Sequence, residues 1–288
     1  ATLIEFVDWA STTRPADNYG LVMWDHGSGL TGFNNDDADG LIDTDGVFTT
    51  QELVTALESL TTDIDLLAFD ECLMAMLEVG YELKDVAEVI VASQELEGGQ
   101  GYDYAHLFAP LNTQPDQVNA EQLGRHFVDT YQAFYQNSGG FLDTTSAIRT
   151  SQLPVIADSL KSLVTAAADA TGVDWAGIVG ARNGSAFYTL DHLRDLGHFL
   201  GGITRNTTIA QDIRDAAASS LQALGNGLVG KTMDQRGSSG SSVYLPGNET
   251  IENYQAQYEA FDSATGWSAF STALAGQLGL LPSANPDW

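Results

Sequence analysis

Ile64–Asp70, IDLLAFD, followed at once by Glu71-Cys72, decides the fold. Four successive apolar residues, Leu66 to Phe69, give both faces of an extended segment something to bury. Such a run reads as an interior strand rather than a half-solvated one. Upstream, Thr49–Leu60 (TTQELVTALESL) has helical spacing and opens with Thr49 and Glu52 at the separation of a capping box. Before it, Tyr19–Asp25 (YGLVMWD) reads as a second buried strand. Downstream, Leu73–Lys84 has apolar residues at helical intervals, and Ala87–Ser93 (AEVIVAS) reads as a third strand. Strand–helix–strand–helix–strand predicts parallel strands with right-handed crossovers and helices on both faces of a sheet.

The second half is less periodic. Helices are expected over Asp116–Gln136, Gln152–Ala170 and Ala210–Leu224, and strands at Thr145–Arg149 and Ser242–Leu245. Glycine-rich stretches at Gly139–Gly140 and Gly237–Gly240 read as loops within one domain. Residues 276–288 lack periodicity and read as a tail or a truncated link.

The chain of 288 residues is 43% hydrophobic, enough for a sizeable core. No apolar run reaches membrane-spanning length and no basic-plus-apolar leader opens it, so this segment is expected to be soluble. Its net charge of −28, from 39 acids and 11 bases, would repel phosphate. Nucleic acid and anionic membranes are therefore not expected as partners. A scattered acidic surface fits a high-salt organism or an exported protein kept soluble by self-repulsion. An extracellular or cell-surface location is the expectation.

Cys72 is the single cysteine, so no intrachain disulfide and no multi-cysteine metal site can form. His106, His126, His192 and His198 lack metal-ligand spacing. Asp43, Asp45, Gly46 and Glu52 fall at the third, fifth, sixth and twelfth positions of a calcium-loop pattern. Leu41 at the first position offers no oxygen, and Glu52 is explained as a helix cap. No cofactor is expected, with weak calcium binding left open.

Two strand ends carry chemistry. One is Trp24-Asp25-His26-Gly27-Ser28-Gly29; the other is Phe69-Asp70-Glu71-Cys72. In an open parallel sheet, ligands bind beyond the carboxyl ends of the strands. If the two strands are neighbours, His26 and Cys72 share one rim, as a base and a thiol nucleophile require. Singly, His26 reads as a loop histidine held by Asp25, and Cys72 as buried core. Together, with Gly27 behind the histidine, they point to catalysis. Cys72 is expected to open a helix, whose dipole would lower its pKa. The N–H groups of Gly27 and Cys72 could receive an oxyanion. Spacing leaves Asp70 open between pairing with a substrate Lys or Arg and capping the next helix.

Trp24–Gly29 (WDHGSG) and Asp70–Val79 (DECLMAMLEV) resemble the His and Cys motifs of the clostripain-like cysteine peptidases, of the group that includes caspases, legumains and gingipains. Pro15–Tyr19 (PADNY), Ser93–Tyr104 (SQELEGGQGYDY) and Ser242–Pro246 (SVYLP) are further matches, with looser ones at Thr145–Ile148 and Tyr258–Trp267. The resemblance implies a caspase-like three-layer α/β/α sandwich with a mostly parallel central sheet, a peptidase domain over 1–275, and early strands of the family missing upstream. It implies a cysteine endopeptidase with a His26–Cys72 dyad cleaving polypeptides after Arg or Lys, and gives Asp70 to the basic-residue pocket. Gln100, near where some members place a second pocket acid, would shape that pocket. Two rival readings stand beside this one. One is a non-catalytic acidic or calcium-responsive surface module on the same fold. The other is a caspase-group peptidase with a non-basic preference.

Overall fold

The computed structural model describes residues 2–34, 48–113, 118–135, 144–232, 234, 236–247 and 254–280. Eight strands are present among them: β1 (Gly20–Trp24), β2 (Leu66–Asp70), β3 (Val89–Ser93), β4 (Thr145–Arg149), β5 (Phe187–Tyr188), β6 (Leu190–Asp195), β7 (Leu228–Lys231) and β8 (Ser242–Tyr244). Five form a central sheet in the order β1-β2-β3-β4-β7. β1, β2 and β3 pair in parallel, while β4 is antiparallel to both β3 and β7. Four strands thus point one way and β4 the other, a mixed sheet that is mostly parallel.

The alternation within β2 and β3 builds two cores. Leu67, Phe69, Ile90 and Ala92 face one side, with Leu53 and Leu57 of the helix Thr50–Glu58 and Leu160 of the helix Leu153–Ala167. Leu66, Ala68, Val89 and Val91 face the other, under Phe127, Val128 and Tyr131 of the helix Ala120–Tyr135. Strands buried on both faces need helices on both, which is the three-layer α/β/α arrangement of the caspase-like class. Thr49 caps its helix as expected: its hydroxyl accepts the Glu52 N–H at 3.2 Å, and Glu52 accepts the Thr49 N–H at 2.8 Å.

A smaller antiparallel sheet, β5-β6-β8, packs beside the first. The helices Gly172–Gly184 and Leu196–Arg205, and the strand β6 between them, have no counterpart in the sequence-based expectations. The last helix among the described residues, Trp267–Gln277, runs past residue 275, and residues 281–288 lie outside the described residues.

One expected element starts late. The helix expected over Leu73–Lys84 spans Leu77–Glu82. Cys72 and Leu73 form a turn, and the stretch from Leu73 to Ala75 is hydrogen-bonded to the end of β3 and the residues just past it. Leu73 N–H donates to Glu95 O at 3.2 Å, Ala75 N–H to Ser93 O at 2.9 Å, and Ser242 N–H to Ala75 O at 2.8 Å. Leu73 itself has φ +67°, a left-handed conformation that costs a non-glycine residue about 1–2 kcal/mol. Long-range pairing and burial of Leu73, Met74 and Met76 offset that cost and override the local helical pattern.

Candidate active site

β1 and β2 are neighbours, with Trp24 paired to Asp70 at the carboxyl end of each. His26 and Cys72 follow two residues beyond those paired positions, so both lie on one rim of the sheet. The two loops touch. A Cβ at Gly27 would lie 2.3 Å from the Cys72 carbonyl oxygen and 3.1 Å from the Cys72 nitrogen. Only glycine allows the backbone after His26 to approach the Cys72 backbone this closely. An isolated antiparallel bridge, Gly27 to Phe33, holds the loop, with Asn34 N–H donating to His26 O at 2.9 Å. The Asp25 carboxylate accepts the backbone N–H of His26 at 2.7 Å. His26 is exposed and Cys72 half-buried.

Cys72 does not open a helix, because the helix begins at Leu77. The expected dipole effect on the thiol is therefore absent. Burial pushes the Cys72 thiol above its ordinary value. The N–H of Glu97, donating to Sγ at 3.3 Å, favours thiolate, while the acids Glu95 and Glu71 disfavour it. Glu71 is itself buried, with both carboxyl oxygens lacking a hydrogen-bond partner. Burial, then Asp25 and Asp70, push its pKa up to about 8.

The late helix also removes the capping reading of Asp70. This residue is 4% exposed, and its Oδ2 accepts the Tyr102 N–H at 3.2 Å and the Tyr104 hydroxyl at 2.7 Å. Gly101, at φ +62°, is required twice over: a Cβ there would sit 2.6 Å from Asp70 Oδ2. The turn Gly98–Gly101 is pinned by Tyr135 of the helix Ala120–Tyr135, whose hydroxyl lies 2.9 Å from both Gly98 O and Gly101 O and shares its one proton between them.

Gln100 is exposed on that turn. Glu97 is a further acid beside Asp70, which the sequence reading missed. Spacing gave no signal for it, because the chain leaves the strand at Ser93 and the Glu95 carboxyl goes instead to Thr189 and Arg236. Asp43, Asp45 and Gly46 of the calcium-loop pattern lie outside the described residues. Among the described residues no group of His, Cys, Asp and Glu has the arrangement of a metal site, and no helix is long and apolar enough to cross a membrane. A cavity of about 790 Å³ opens at the opposite rim, near Asp65, Glu88 and Arg149, away from the strand ends that carry His26 and Cys72.

The sequence pattern of the clostripain family matches residues 1–275. The chain belongs to the clostripain family. Clostripain of Hathewaya histolytica is 28% identical over a region covering 44% of this chain and 30% of that protein. The chain thus spans about a third of this curated relative. Among solved structures, a secreted C11 cysteine protease from Bacteroides thetaiotaomicron, bound to an irreversible peptide inhibitor, superposes with a TM-score of 0.67 at 20% identity, covering 92% of this chain and 77% of that one. An inactive zymogen C11 protease from Parabacteroides distasonis gives 0.63 at 18% identity, covering 96% and 74%. These likenesses agree with the caspase-like α/β fold of this clostripain-family domain.

Proposed function

We propose that this clostripain-family chain is a cysteine endopeptidase, with Cys72 as nucleophile and His26 as its base, cleaving after Arg or Lys. The observation that carries the reading is the in-register pairing of β1 with β2, which sets the His26 and Cys72 loops side by side with Gly27 against the Cys72 backbone. Cys72 Sγ attacks the scissile carbonyl carbon while its proton passes to the His26 ring. The oxyanion takes the N–H groups of Gly27 and Cys72, neither of which is spent on a backbone carbonyl among the described residues. Collapse expels the amine, protonated by His26, and leaves a thioester. A water molecule, deprotonated by His26, then attacks the thioester and releases the acid product and the thiol.

Asp70, buried and held by two tyrosine contacts, supplies the negative charge for an Arg or Lys before the cut. The chemistry uses no metal or cofactor. The partners are polypeptides, and the location is extracellular, in keeping with the acidic surface and the secreted relative. Peptide amides with Arg, Lys or a neutral residue before the cut test the reading. Turnover of the basic substrates that disappears in Cys72→Ala supports it, and equal turnover by Cys72→Ala sinks it.

A further inference from the structure

The most exposed large apolar side chain among the described residues is Trp24, at 71%. It ends β1 and joins neither core cluster. A lone apolar side chain on a surface needs no explanation by itself. Trp24 has a particular neighbour, however: in the register of β1 with β2 it pairs with Asp70. Residues in register on parallel neighbours project from the same face, roughly 5 Å apart. Val22, two positions back along β1, packs into the cluster that holds Ala68 and Tyr104, so Trp24 stands on the Asp70 face. The other flank of the Asp70 carboxyl is closed. There a Cβ at Gly101 would lie 2.6 Å from Asp70 Oδ2, and the Tyr104 hydroxyl donates to the same oxygen at 2.7 Å. β1 is the edge of the central sheet, and the flank toward Trp24 is the one that meets solvent. A cation reaching Asp70 on that flank passes over the indole.

Asp70 is 4% exposed, so a cation that reaches it gives up most of its water on the approach. That loss is offset by a surface that attracts cations without hydrating them. The face of an indole does this best of the aromatic rings. It suits a planar guanidinium better than an ammonium, which holds its water harder. The methylene stem of an arginine also finds apolar area there. A leucine would supply the apolar area alone; an aromatic ring supplies both. We propose that Trp24 is a specificity residue, its indole forming the open wall of the pocket that Asp70 charges, with the side chain of an arginine before the scissile bond lying along it. This rests on the assignment of Asp70 to that pocket. Trp24 is also two residues from His26, so one strand end holds both the substrate side chain and the base that serves the nucleophile.

The test compares kcat/KM for peptides differing only in Arg, Lys or Gln before the cut, in wild type, Trp24→Leu and Trp24→Phe. The Arg-to-Gln ratio should fall about two- to thirtyfold in Trp24→Leu, with Arg losing more than Lys. Trp24→Phe keeps a π face and should restore much of the ratio. A wild type without preference for Arg or Lys overturns the basic-residue reading itself. A wild type that prefers Arg, with the ratio intact in Trp24→Leu, overturns the role of Trp24 alone. An equal loss on all three peptides also overturns it, because Trp24 would then act only by holding the His26 loop. A second measurement keeps Trp24 in place. Acetyl-arginine amide is added to the Cys72→Ala protein, with its binding followed by calorimetry and acrylamide quenching of tryptophan fluorescence read in parallel. Bound ligand should shield an indole from acrylamide, and the shielding should vanish when Trp24→Leu is added. Binding with unchanged quenching overturns the proposal.

Discussion

Gly27 lies so close to Cys72 that a single methyl group at Gly27 would penetrate to 2.3 Å of the Cys72 carbonyl oxygen. The obstructing atom is backbone, which cannot rotate aside. Gly27→Ala must therefore push the His26 loop away from the Cys72 backbone. Losing the alignment of one oxyanion donor costs about a hundred- to a thousandfold in kcat. We expect kcat/KM to fall at least that far, with only a modest drop in melting temperature, since the loop is at the rim. Near-wild-type kinetics for Gly27→Ala would show that the His26 loop takes no part in the chemistry.

The thiol of the unliganded protein should be less acidic than free cysteine. Burial and the acids Glu95 and Glu71 raise it, and the Glu97 N–H only partly compensates. Raised means that thiolate appears only at higher pH. The pH profile of iodoacetamide alkylation should inflect above the ordinary value of about 8.5. Glu71→Gln removes one of the opposing anions and should move the inflection down. An inflection below pH 7 in the wild type, or no downward movement in Glu71→Gln, would refute this account of the site.

Stability should fall as pH rises from acid to neutral, in part because of Glu78. This carboxyl is fully buried, accepting the Tyr244 N–H at 2.8 Å and the Tyr254 hydroxyl at 3.0 Å. Burial raises its pKa from 4.5 to about 7. Between those values the unfolded chain gives up a proton that the folded chain keeps. The stabilisation is thus complete below about pH 4.5 and lost as pH rises through about 7. The effect is on the order of 3 kcal/mol. Melting temperatures of Glu78→Gln should vary less with pH across that window than those of the wild type. Parallel curves for the two proteins would count against the buried-acid assignment.

The stretch from Gly27 to Glu71 should survive in the active protein. It contains no Lys or Arg, the nearest bases being Arg14 and Lys84. Its acids, Asp36, Asp37, Asp39, Asp43 and Asp45 among them, would be repelled by an acidic pocket. An enzyme that needs a basic residue before the cut has no target there, so His26 and Cys72 stay on one polypeptide. Intact-mass analysis checks this. A fragment ending between Gly27 and Glu71, absent from Cys72→Ala, would contradict either the basic specificity or the single-chain form.

Much of the fold was legible because it is encoded in local alternation. β1, β2 and β3 lie where apolar runs placed them, and β4 spans the expected Thr145–Arg149. The capping box of Thr49 and Glu52 is a three-residue pattern that needs no distant partner. The carboxyl ends of β1 and β2 follow from the same runs, and with them the positions of His26 and Cys72. What tertiary structure alone decided is non-local. The segment after Cys72 has helical spacing, yet its N–H groups go to Ser93 and Glu95, about twenty residues away, and helix formation waits until Leu77. With that shift the thiol lost its helix dipole and Asp70 lost its capping role. Glu97 reaches Asp70 only because the turn Gly98–Gly101 is fastened to Tyr135, a residue 37 positions further along than Gly98. Periodicity reports which face of an element is buried; it carries no information about which two buried carboxyls will meet, since that depends on contacts that exist only once the layers have packed.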